Sequence, residues 1–242
     1  MNIVITMAGI GKRFIDAGYT KPKYMIEVKG KTLFEWSMLS LQQLNSYSPN
    51  YIFIVREQDE SENFIKNQCD NLGLEKVNII TINYRTDGQA TTALLAEEYW
   101  NEDEPLFIYN IDTYVEPPNI NGEEFKGNGF IPCFIAPGEH WSFVKVDESN
   151  KAIEVKEKTR ISDNCSIGAY YFKTASLYKE LYDEFYKDNN NLVNGEKYIA
   201  PLYNLLISTK DDVFISCIDN KSVHVLGTPE EVEKFKCEAN TL

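Results

Sequence analysis

Short hydrophobic runs alternate with segments of helical spacing along the first part of the chain. Runs of strand length occur at Asn2–Thr6 and at residues 51–55, 77–82 and 106–111, and helical spacing at residues 32–44, 61–69 and 89–100. Parallel strands need a long crossover connection, which a helix commonly supplies. The alternation therefore predicts a mostly parallel sheet with helices on both faces and right-handed crossovers.

The pattern changes near Val115. Strand-like segments at residues 130–136, Ser142–Val146, 152–155 and 165–172 are separated by turn residues, which predicts an added mixed region. Helical spacing returns at residues 175–186 and 198–207, and a strand at 213–218 precedes a final helix at Pro229–Cys237. We expect one domain over residues 1–242 with an α/β fold, a Rossmann-like three-layer sandwich around a mostly parallel mixed sheet.

Composition limits the classes of protein to which the chain can belong. Its 242 residues, 43% of them hydrophobic, suffice to bury a sizeable core, and five single cysteines without a CxxC pair indicate reduced thiols. A net charge of −13 repels phosphate backbones, so nucleic acid is not an expected partner. The chain has neither an apolar run of membrane-spanning length nor a basic region before its first hydrophobic stretch. We therefore expect a cytoplasmic protein without a membrane partner.

Basic residues are concentrated near the N-terminus, against the sign of the whole chain. The stretch MAGIGKRF at residues 7–14 follows the first predicted strand and contains Gly9, Gly11, Lys12 and Arg13. Glycines allow backbone N–H groups to approach an anion, and arginine offers a forked donor to phosphate oxygens. The stretch lacks the GKS or GKT of a Walker motif and the third glycine of a dinucleotide fingerprint. From the residues alone it is either a phosphate-binding loop or a tight turn with a solvated basic flank.

MAGIGKRF and the following KPKYMIEVKGKTLFEW resemble the signature of the nucleotidyltransferases that join a nucleoside triphosphate to a sugar 1-phosphate or a related small phosphate ester. The resemblance is strongest to the branch found among bacterial capsule and surface-polysaccharide genes. It continues through GQATTALLA, YNIDTYV, WSFVKVDE, VKEKTRIS, IGAYYFK, GEKYIAPLYN and GTPEEVEKF. It implies a GT-A-like fold with a nucleotide-binding half at residues 1–115 and an acceptor-binding half at 116–242. For a chain of this length we expect a monomer or a homodimer.

The resemblance also implies a role for individual residues. The loop would wrap the triphosphate, Asp112 would hold Mg²⁺, and Arg13, Lys23 and Asp112 would be the catalytic residues. The implied binding residues are Ala8, Gly9, Gly11, Lys12, Gly88 and Gln89 for the nucleotide and Glu157, Lys158 and Gly168 for the acceptor. Structural alternatives are a Lys23 that caps or solvates a loop, a helix start capped by Asp87, a capping role for Asp112 and a plain strand glycine at 168.

Two positions depart from the family pattern. Thr159 stands where a proline usually follows the Glu-Lys pair, and Val225 stands where related enzymes usually carry a second metal-binding aspartate. By position, His224 and Asp219 are candidates to replace that aspartate. Further acceptor-pocket candidates, also by position only, are Trp141, Glu196 and Tyr198.

The implied reaction is an in-line attack by an acceptor phosphate oxygen on the α-phosphorus of the nucleotide, with CTP, UTP or dTTP favoured. The attacking oxygen is already anionic, so no general base is needed. The expected product is a precursor for capsule or surface polysaccharide. Two other functions stay open. A GT-A glycosyltransferase commonly uses an Asp-x-Asp motif, which the sequence Asp112-Thr113-Tyr114 breaks, and a non-catalytic nucleotide-binding relative is compatible with Val225.

Overall fold

A mixed β-sheet of ten strands runs through the computed structural model, which describes residues 1–238. The strands of this sheet and of two small ladders are β1 (Asn2–Thr6), β2 (Glu27–Val28), β3 (Lys31–Thr32), β4 (Asn50–Arg56), β5 (Lys76–Ile82), β6 (Leu106–Asn110), β7 (Thr113–Val115), β8 (Gly129–Ile135), β9 (Ser142–Val146), β10 (Ala152–Glu157), β11 (Asn164–Ser166), β12 (Ala169–Phe172), β13 (Val213–Cys217) and β14 (Val223–Val225). The helices are α1 (Lys12–Asp16), α2 (Leu33–Leu39), α3 (Glu62–Asn71), α4 (Gln89–Leu94), α5 (Ala175–Phe185), α6 (Tyr203–Ser208) and α7 (Pro229–Cys237). The last four residues of the expected domain, 239–242, lie outside the described part of the chain.

The strands follow the order β10-β9-β11-β8-β12-β6-β1-β4-β5, and β13 pairs with β8. The neighbours β5, β4, β1 and β6 are parallel, as the sequence pattern predicts. Thr6 pairs with Ile54 on one side and with Asn110 on the other, so β1, β4 and β6 end at the same edge. In open α/β sheets ligands bind beyond the carboxyl ends of the strands, so this edge is where a site is expected.

The second half of the chain adds mostly antiparallel strands to this sheet. β12 runs antiparallel to β6, with Ala169 opposite Tyr109. The N–H of Asn110 donates to Gly168 O at 3.0 Å, which extends the pairing to the end of β6. Gly168, from the second half of the chain, thus meets the strand end that precedes Asp112.

The core lies on both faces of the sheet, because successive side chains of β1 point to opposite sides. Ile3 and Ile5 pack in one cluster with apolar residues of α2 and α3, whereas Val4 packs in another with residues of α4, α5 and α6. These two layers of helices around the sheet confirm the expected three-layer α/β fold. None of the helices within residues 1–238 is long and apolar enough to cross a membrane.

A third apolar cluster fixes the last helix near the first half of the chain. Trp36 of α2 packs against Tyr114 of β7 and Phe235 of α7. β14 pairs antiparallel with β7, which directly follows Asp112. Together, these aromatic contacts and the ladder of β14 with β7 bring the segment before α7 to the edge of the sheet where β6 ends.

Several element bounds differ from the sequence expectation for local reasons. The expected strand over 165–172 is two strands, because Gly168 adopts a left-handed φ of 81°. The expected helix over 89–100 continues beyond Leu94 only as a short 3₁₀ helix, and the one over 198–207 starts as a 3₁₀ helix at residue 200. Pro201 follows that start, and it lacks the N–H that a regular helix interior needs.

Candidate active site

A cleft of about 460 Å³ opens at the carboxyl ends of β1 and β6. Lys23, Asp112 and all six residues expected to bind the nucleotide line it. The other expected site residues, Arg13, Glu157, Lys158 and Gly168, lie outside its wall. A cleft of about 530 Å³ at the ends of β4 and β5 is lined by three glutamates, which makes it a poor site for a phosphate ester.

The loop after β1 is fixed at both ends, and its backbone in between is not covered by other residues. The backbone N–H of Met7 extends the pairing of β1 with β4 by one residue. Gly11 precedes α1 in the left-handed conformation, with a φ of 66°, where a residue with a side chain is strained. A Cβ on Gly9 would have no atom within 4 Å, so the backbone here faces open space. Lys12 and Arg13 follow as exposed side chains.

The ammonium of Lys23 and the carboxylate of Asp112 form an ion pair in the wall of the cleft. Lys23 Nζ donates to Asp112 Oδ2 at 2.7 Å, and the two side chains are 17% and 27% exposed. Asp112 follows β6, whereas Lys23 begins a short 3₁₀ helix that the buried ring of Tyr24 anchors. Two of the three expected catalytic residues are therefore in direct contact, and each neutralises the other in the free protein.

Gln89 is oriented by two residues at the strand ends. Its Nε2 donates to Asn110 Oδ1 and to Thr6 Oγ1, the latter at 3.2 Å. A Cβ on Gly168 would stand 2.5 Å from Asn110 Nδ2, so only glycine fits behind this side chain. Gly168 therefore shapes the cleft through Asn110 rather than by lining it.

Gly88 is required by a backbone contact inside the protein. Its φ of 150° and ψ of 175° lie in a region that is essentially restricted to glycine, and a Cβ there would overlap the backbone of Lys197. The alternative in which Asp87 caps α4 is wrong, because Gly88 occupies the N-cap and the Asp87 carboxylate pairs with Lys197 Nζ at 2.9 Å. Burial acts to raise the pKa of Asp87, but hydrogen bonds from Thr91 and Lys197 outweigh it and lower that pKa below its ordinary value.

The polar residues of the cleft wall that sequence reasoning does not single out include Thr6, Arg85 and Asn110. Thr6 and Asn110 are the last residues of β1 and β6, so the rule that ligands bind at strand ends is a signal for both. Arg85 lies in a loop without a motif, and nothing in the sequence points to it.

Comparison with solved structures identifies the family. The chain is similar to the nucleoside-diphosphate-sugar pyrophosphorylase from Vibrio cholerae RC9: the two are 34% identical, the match covers 98% of this chain and 100% of that one, and the TM-score is 0.90. This chain belongs to the nucleoside-diphosphate-sugar pyrophosphorylase family.

More distant structures share the fold of this family. The inositol-1-phosphate CTP transferase from T. maritima is 17% identical, with 98% of this chain and 97% of that chain covered and a TM-score of 0.75. A candidate glucose-1-phosphate thymidylyltransferase from Bacillus anthracis, solved in complex with a sucrose, is 15% identical, with 100% and 96% covered and a TM-score of 0.79. No protein-family model and no curated protein matched the chain.

In this pyrophosphorylase-family chain, linked polar contacts follow one edge of the cleft. Lys158 Nζ donates to Tyr198 OH, and that hydroxyl donates to Glu196 Oε2 at 2.6 Å. Arg85 Nη2 donates to the other carboxylate oxygen of Glu196 at 2.9 Å. Because Arg85, Glu196 and Tyr198 line the cleft, Lys158 is connected to it through Tyr198.

Glu157, the residue before Lys158, is only 8% exposed. Its carboxylate accepts a hydrogen bond from Ser142 Oγ, which lies 3.1 Å from Tyr170 OH. Burial raises the pKa of Glu157, although the bond from Ser142 acts in the opposite direction. The indole of Trp141 donates to Pro137 O at 2.9 Å. The expected contacts of Glu157 and Trp141 with an acceptor stay predictions.

The residues around Val225 have partners elsewhere in the protein. Val225 itself lies in the ladder of β14 with β7. His224 Nδ1 lies 2.8 Å from a Glu238 oxygen, and its Nε2 lies 3.3 Å from a Glu116 oxygen. Asp219 accepts a hydrogen bond from the backbone of the turn that follows it. Both positional candidates for a second metal ligand are thus engaged by other groups.

The carboxylates beside Gly227 fit a hard divalent cation. The N–H of Leu226 donates to Asp112 O at 2.8 Å, which places Gly227 next to Asp112. Oε2 of Glu231 is buried and has no hydrogen-bond partner among residues 1–238. Mg²⁺ prefers oxygen ligands and is commonly held by one or two carboxylates together with substrate phosphates and water. The two carboxylates present, those of Asp112 and Glu231, match such a site, in which substrate phosphates and water supply the other ligands.

Proposed function

We propose that this chain is a nucleotidyltransferase that joins a nucleoside triphosphate to a sugar 1-phosphate or a small polyol or alcohol phosphate and releases pyrophosphate. CTP, UTP and dTTP are the favoured nucleotides. The observation that carries the proposal is the Lys23–Asp112 pair, which shares one cleft with the bare loop at Gly9 and Gly11. A fixed cation, an oxygen ligand for a metal and open backbone N–H groups suit a triphosphate.

The triphosphate is assigned to the loop and the basic residues beside it. The backbone from Ala8 to Gly11 faces the cleft, and Lys12 and Lys23 line it. Arg13 is exposed directly after Lys12, and we assign its guanidinium to the same phosphates. Permanent cations suit this role because charge develops on the leaving pyrophosphate. Gly88 and Gln89, at the start of α4 in the cleft wall, are proposed to contact the nucleobase.

Asp112 is the proposed protein ligand of Mg²⁺. Held by Asp112, the cation would offset the charge that develops on the phosphates during displacement. The protein's own contribution is to hold the Asp112 carboxylate in place, which the contact with Lys23 does in the free protein.

The proposed reaction forms a bond between an acceptor phosphate oxygen and the α-phosphorus while the bond to pyrophosphate breaks. The acceptor oxygen attacks as an anion, so the residues have to align two phosphates and stabilise charge rather than remove a proton. This requirement agrees with a cleft wall that contains no histidine among the described residues.

The acceptor is proposed to bind along the edge formed by Arg85, Glu196 and Tyr198, with Lys158 behind Tyr198. These side chains offer hydrogen bonds to hydroxyl groups and a cation near the phosphate. Glu157 is proposed to support this edge through Ser142, and Gly168 through Asn110. On this assignment residues 1–115 bind the nucleotide, and residues 116–242 bind the acceptor with the addition of Arg85 from the first half. We assign this activity to a cytoplasmic monomer or homodimer that supplies a precursor of capsule or surface polysaccharide.

Pyrophosphate release with Mg²⁺ tests the proposal. The assay pairs CTP, UTP, dTTP, GTP and ATP with a panel of sugar, polyol and small-alcohol phosphates. The expected result is release that requires one nucleotide and one acceptor together. Folded protein that binds a nucleotide but releases no pyrophosphate with any pair would overturn the proposal in favour of a binding relative, and transfer from a nucleotide sugar would overturn it in favour of a glycosyltransferase.

A further inference from the structure

Glu231 occupies a capping position without making the usual bond of that position. It is the third residue of α7, three positions after the N-cap Thr228, and its N–H donates to Thr228 Oγ1 at 3.2 Å. The same Thr-x-x-Glu spacing starts α2, where Glu35 also accepts a bond from the N-cap N–H of Thr32 at 2.7 Å. In α7 only the first half of this capping box forms.

One oxygen of the Glu231 carboxylate, Oε2, is buried and unsatisfied, although the residue as a whole is half-buried. Oε2 of Glu231 has almost no solvent-accessible surface, and it has no hydrogen-bond partner within the described residues 1–238. A buried carboxylate oxygen without a partner is costly, so such a group normally meets a donor or a cation. Its surroundings therefore indicate which ligand it serves.

Gly227 leaves a gap between Glu231 and Asp112. A Cβ on residue 227 would stand 3.6 Å from Glu231 Oε2 and 3.3 Å from Asp112 Oδ2. The two carboxylates thus border one small space. Asp112 reaches it from the residue before β7, and Glu231 reaches it from α7. Asp112 Oδ2, the carboxylate oxygen nearest to this gap, is also the oxygen that Lys23 Nζ contacts.

We propose that Glu231 is the second carboxylate of the divalent-cation site, in the role that Val225 cannot perform. The inference rests on the proposed function, because that function requires the cation. Mg²⁺ accepts two carboxylates and completes its coordination with phosphates and water, so the gap at Gly227 and the orphaned Oε2 suit it. The missing aspartate is replaced from α7, further along the chain than the family pattern places it.

Titration of the full-length protein with Mn²⁺, followed by electron paramagnetic resonance of the free ion, tests this role. It is run with Mn²⁺ alone and with Mn²⁺ plus pyrophosphate. Glu231→Gln should weaken Mn²⁺ binding by about tenfold or more, since even the loss of an outer-shell partner costs about 10- to 100-fold in metal affinity. The matched control is Glu230→Gln, which makes the same change at an exposed neighbour in the same turn and should leave Mn²⁺ affinity within about twofold.

Gly227→Ala provides a second variant if Glu231→Gln does not fold. Gly227 is not among the glycines with a positive φ, and the atoms nearest to the added Cβ belong to the two carboxylates, so Mn²⁺ binding should fall while the melting temperature changes little. Equal Mn²⁺ affinity in wild type, Glu231→Gln and Gly227→Ala would overturn the inference, as would wild-type protein that binds no Mn²⁺ with or without pyrophosphate.

The two proposals fail in different ways. If wild-type protein releases pyrophosphate but Glu231→Gln binds Mn²⁺ normally, the inference is wrong and the proposed function stands. If Mn²⁺ binding depends on Glu231 but no pair of substrates releases pyrophosphate, the carboxylate pair is supported and the proposed reaction is wrong.

Discussion

Lys23 Nζ lies 2.7 Å from Asp112 Oδ2, although 89 positions separate the two residues in the sequence. The pair sits at the edge where β1 and β6 end, beside the open backbone of Gly9. Removal of either partner leaves the other as an unpaired, partly buried charge. The contact therefore couples the proposed phosphate-binding cation to the proposed metal-binding carboxylate.

Lys23→Met and Asp112→Asn should each lower kcat for pyrophosphate release by about 10²- to 10³-fold, because each removes a charge that the proposed function assigns to the reacting phosphates. Initial rates at saturating substrates, with circular dichroism as the check on folding, provide the measurement. Lys21→Met, at an exposed neighbour of Lys23, should keep the wild-type rate. A folded Lys23→Met variant with wild-type kcat would remove Lys23 from the site.

Arg13→Ala should lower kcat/KM for the nucleotide by about 10²-fold or more, since the variant loses the forked, permanently charged donor that we assign to the phosphates. Arg13→Lys keeps the charge but not the fork, and we expect an intermediate value. Lys66→Ala removes an exposed cation from α3 and serves as the control. If Arg13→Ala and Lys66→Ala have the same kinetics, the exposed position of Arg13 reflects a solvated flank and not a substrate contact.

Gly88→Ala should destabilise the protein by about 3 kcal/mol, because the backbone at this position is restricted to glycine and the added Cβ overlaps Lys197. Urea denaturation measures the free energy of unfolding. Gly73→Ala is the matched comparison: its φ is 68° and its surroundings are open, so only about 1 kcal/mol is expected. Unchanged stability of Gly88→Ala would contradict the backbone explanation.

Tyr198→Phe should raise KM for the acceptor by about tenfold and leave KM for the nucleotide unchanged. The hydroxyl links Lys158 to Glu196, and hydrogen bonds to charged groups are worth about 1.5–3 kcal/mol. Steady-state kinetics with each substrate varied separately distinguish the two constants. An effect on the nucleotide KM alone would move Tyr198 to the nucleotide side of the cleft.

Glu157→Gln should become more stable relative to wild type as the pH rises above 4.5, the ordinary pKa of the carboxyl group. Burial raises the pKa of Glu157 in the folded protein, so above the unfolded pKa the folded state binds more protons and wild-type stability falls with pH. The amide of the variant does not titrate in this range, so the variant does not lose stability in this way. Urea midpoints measured from pH 4 to pH 7 test the trend, and Glu148→Gln on an exposed turn controls for the acid-to-amide change. A stability difference that does not depend on pH would contradict a raised pKa for Glu157.

The longer strands and helices were predictable because each is long enough to show its own apolar run or periodicity. The β1, β4, β5 and β6 runs are apolar over most of their length, as parallel strands covered on both faces require, and α7 has its predicted bounds. The two-residue strands β2 and β3 and the three-residue β7 and β14 are too short to show a period. The ladder of β7 with β14, which brings α7 to Asp112, was therefore not visible in the sequence.

The residues of the candidate site likewise fall into those that the sequence indicated and those that only the structure revealed. Motifs pointed to the loop at Gly9, to Lys23 and to Asp112, and the structure places these residues in one cleft. Glu231 has no motif of its own beyond a helix-capping pattern, and its carboxylate approaches Asp112 only because Gly227 leaves space between them.

By itself the sequence determined the α/β class, the order of its main elements and the family signature, because these depend on local periodicity and on short runs of residues. The tertiary structure alone decided which distant side chains meet: Lys23 with Asp112, Gly168 with Asn110, and Glu231 with the space beside Asp112. Such contacts depend on strand register and on the approach of backbones through glycine, and neither leaves a periodic trace in the chain.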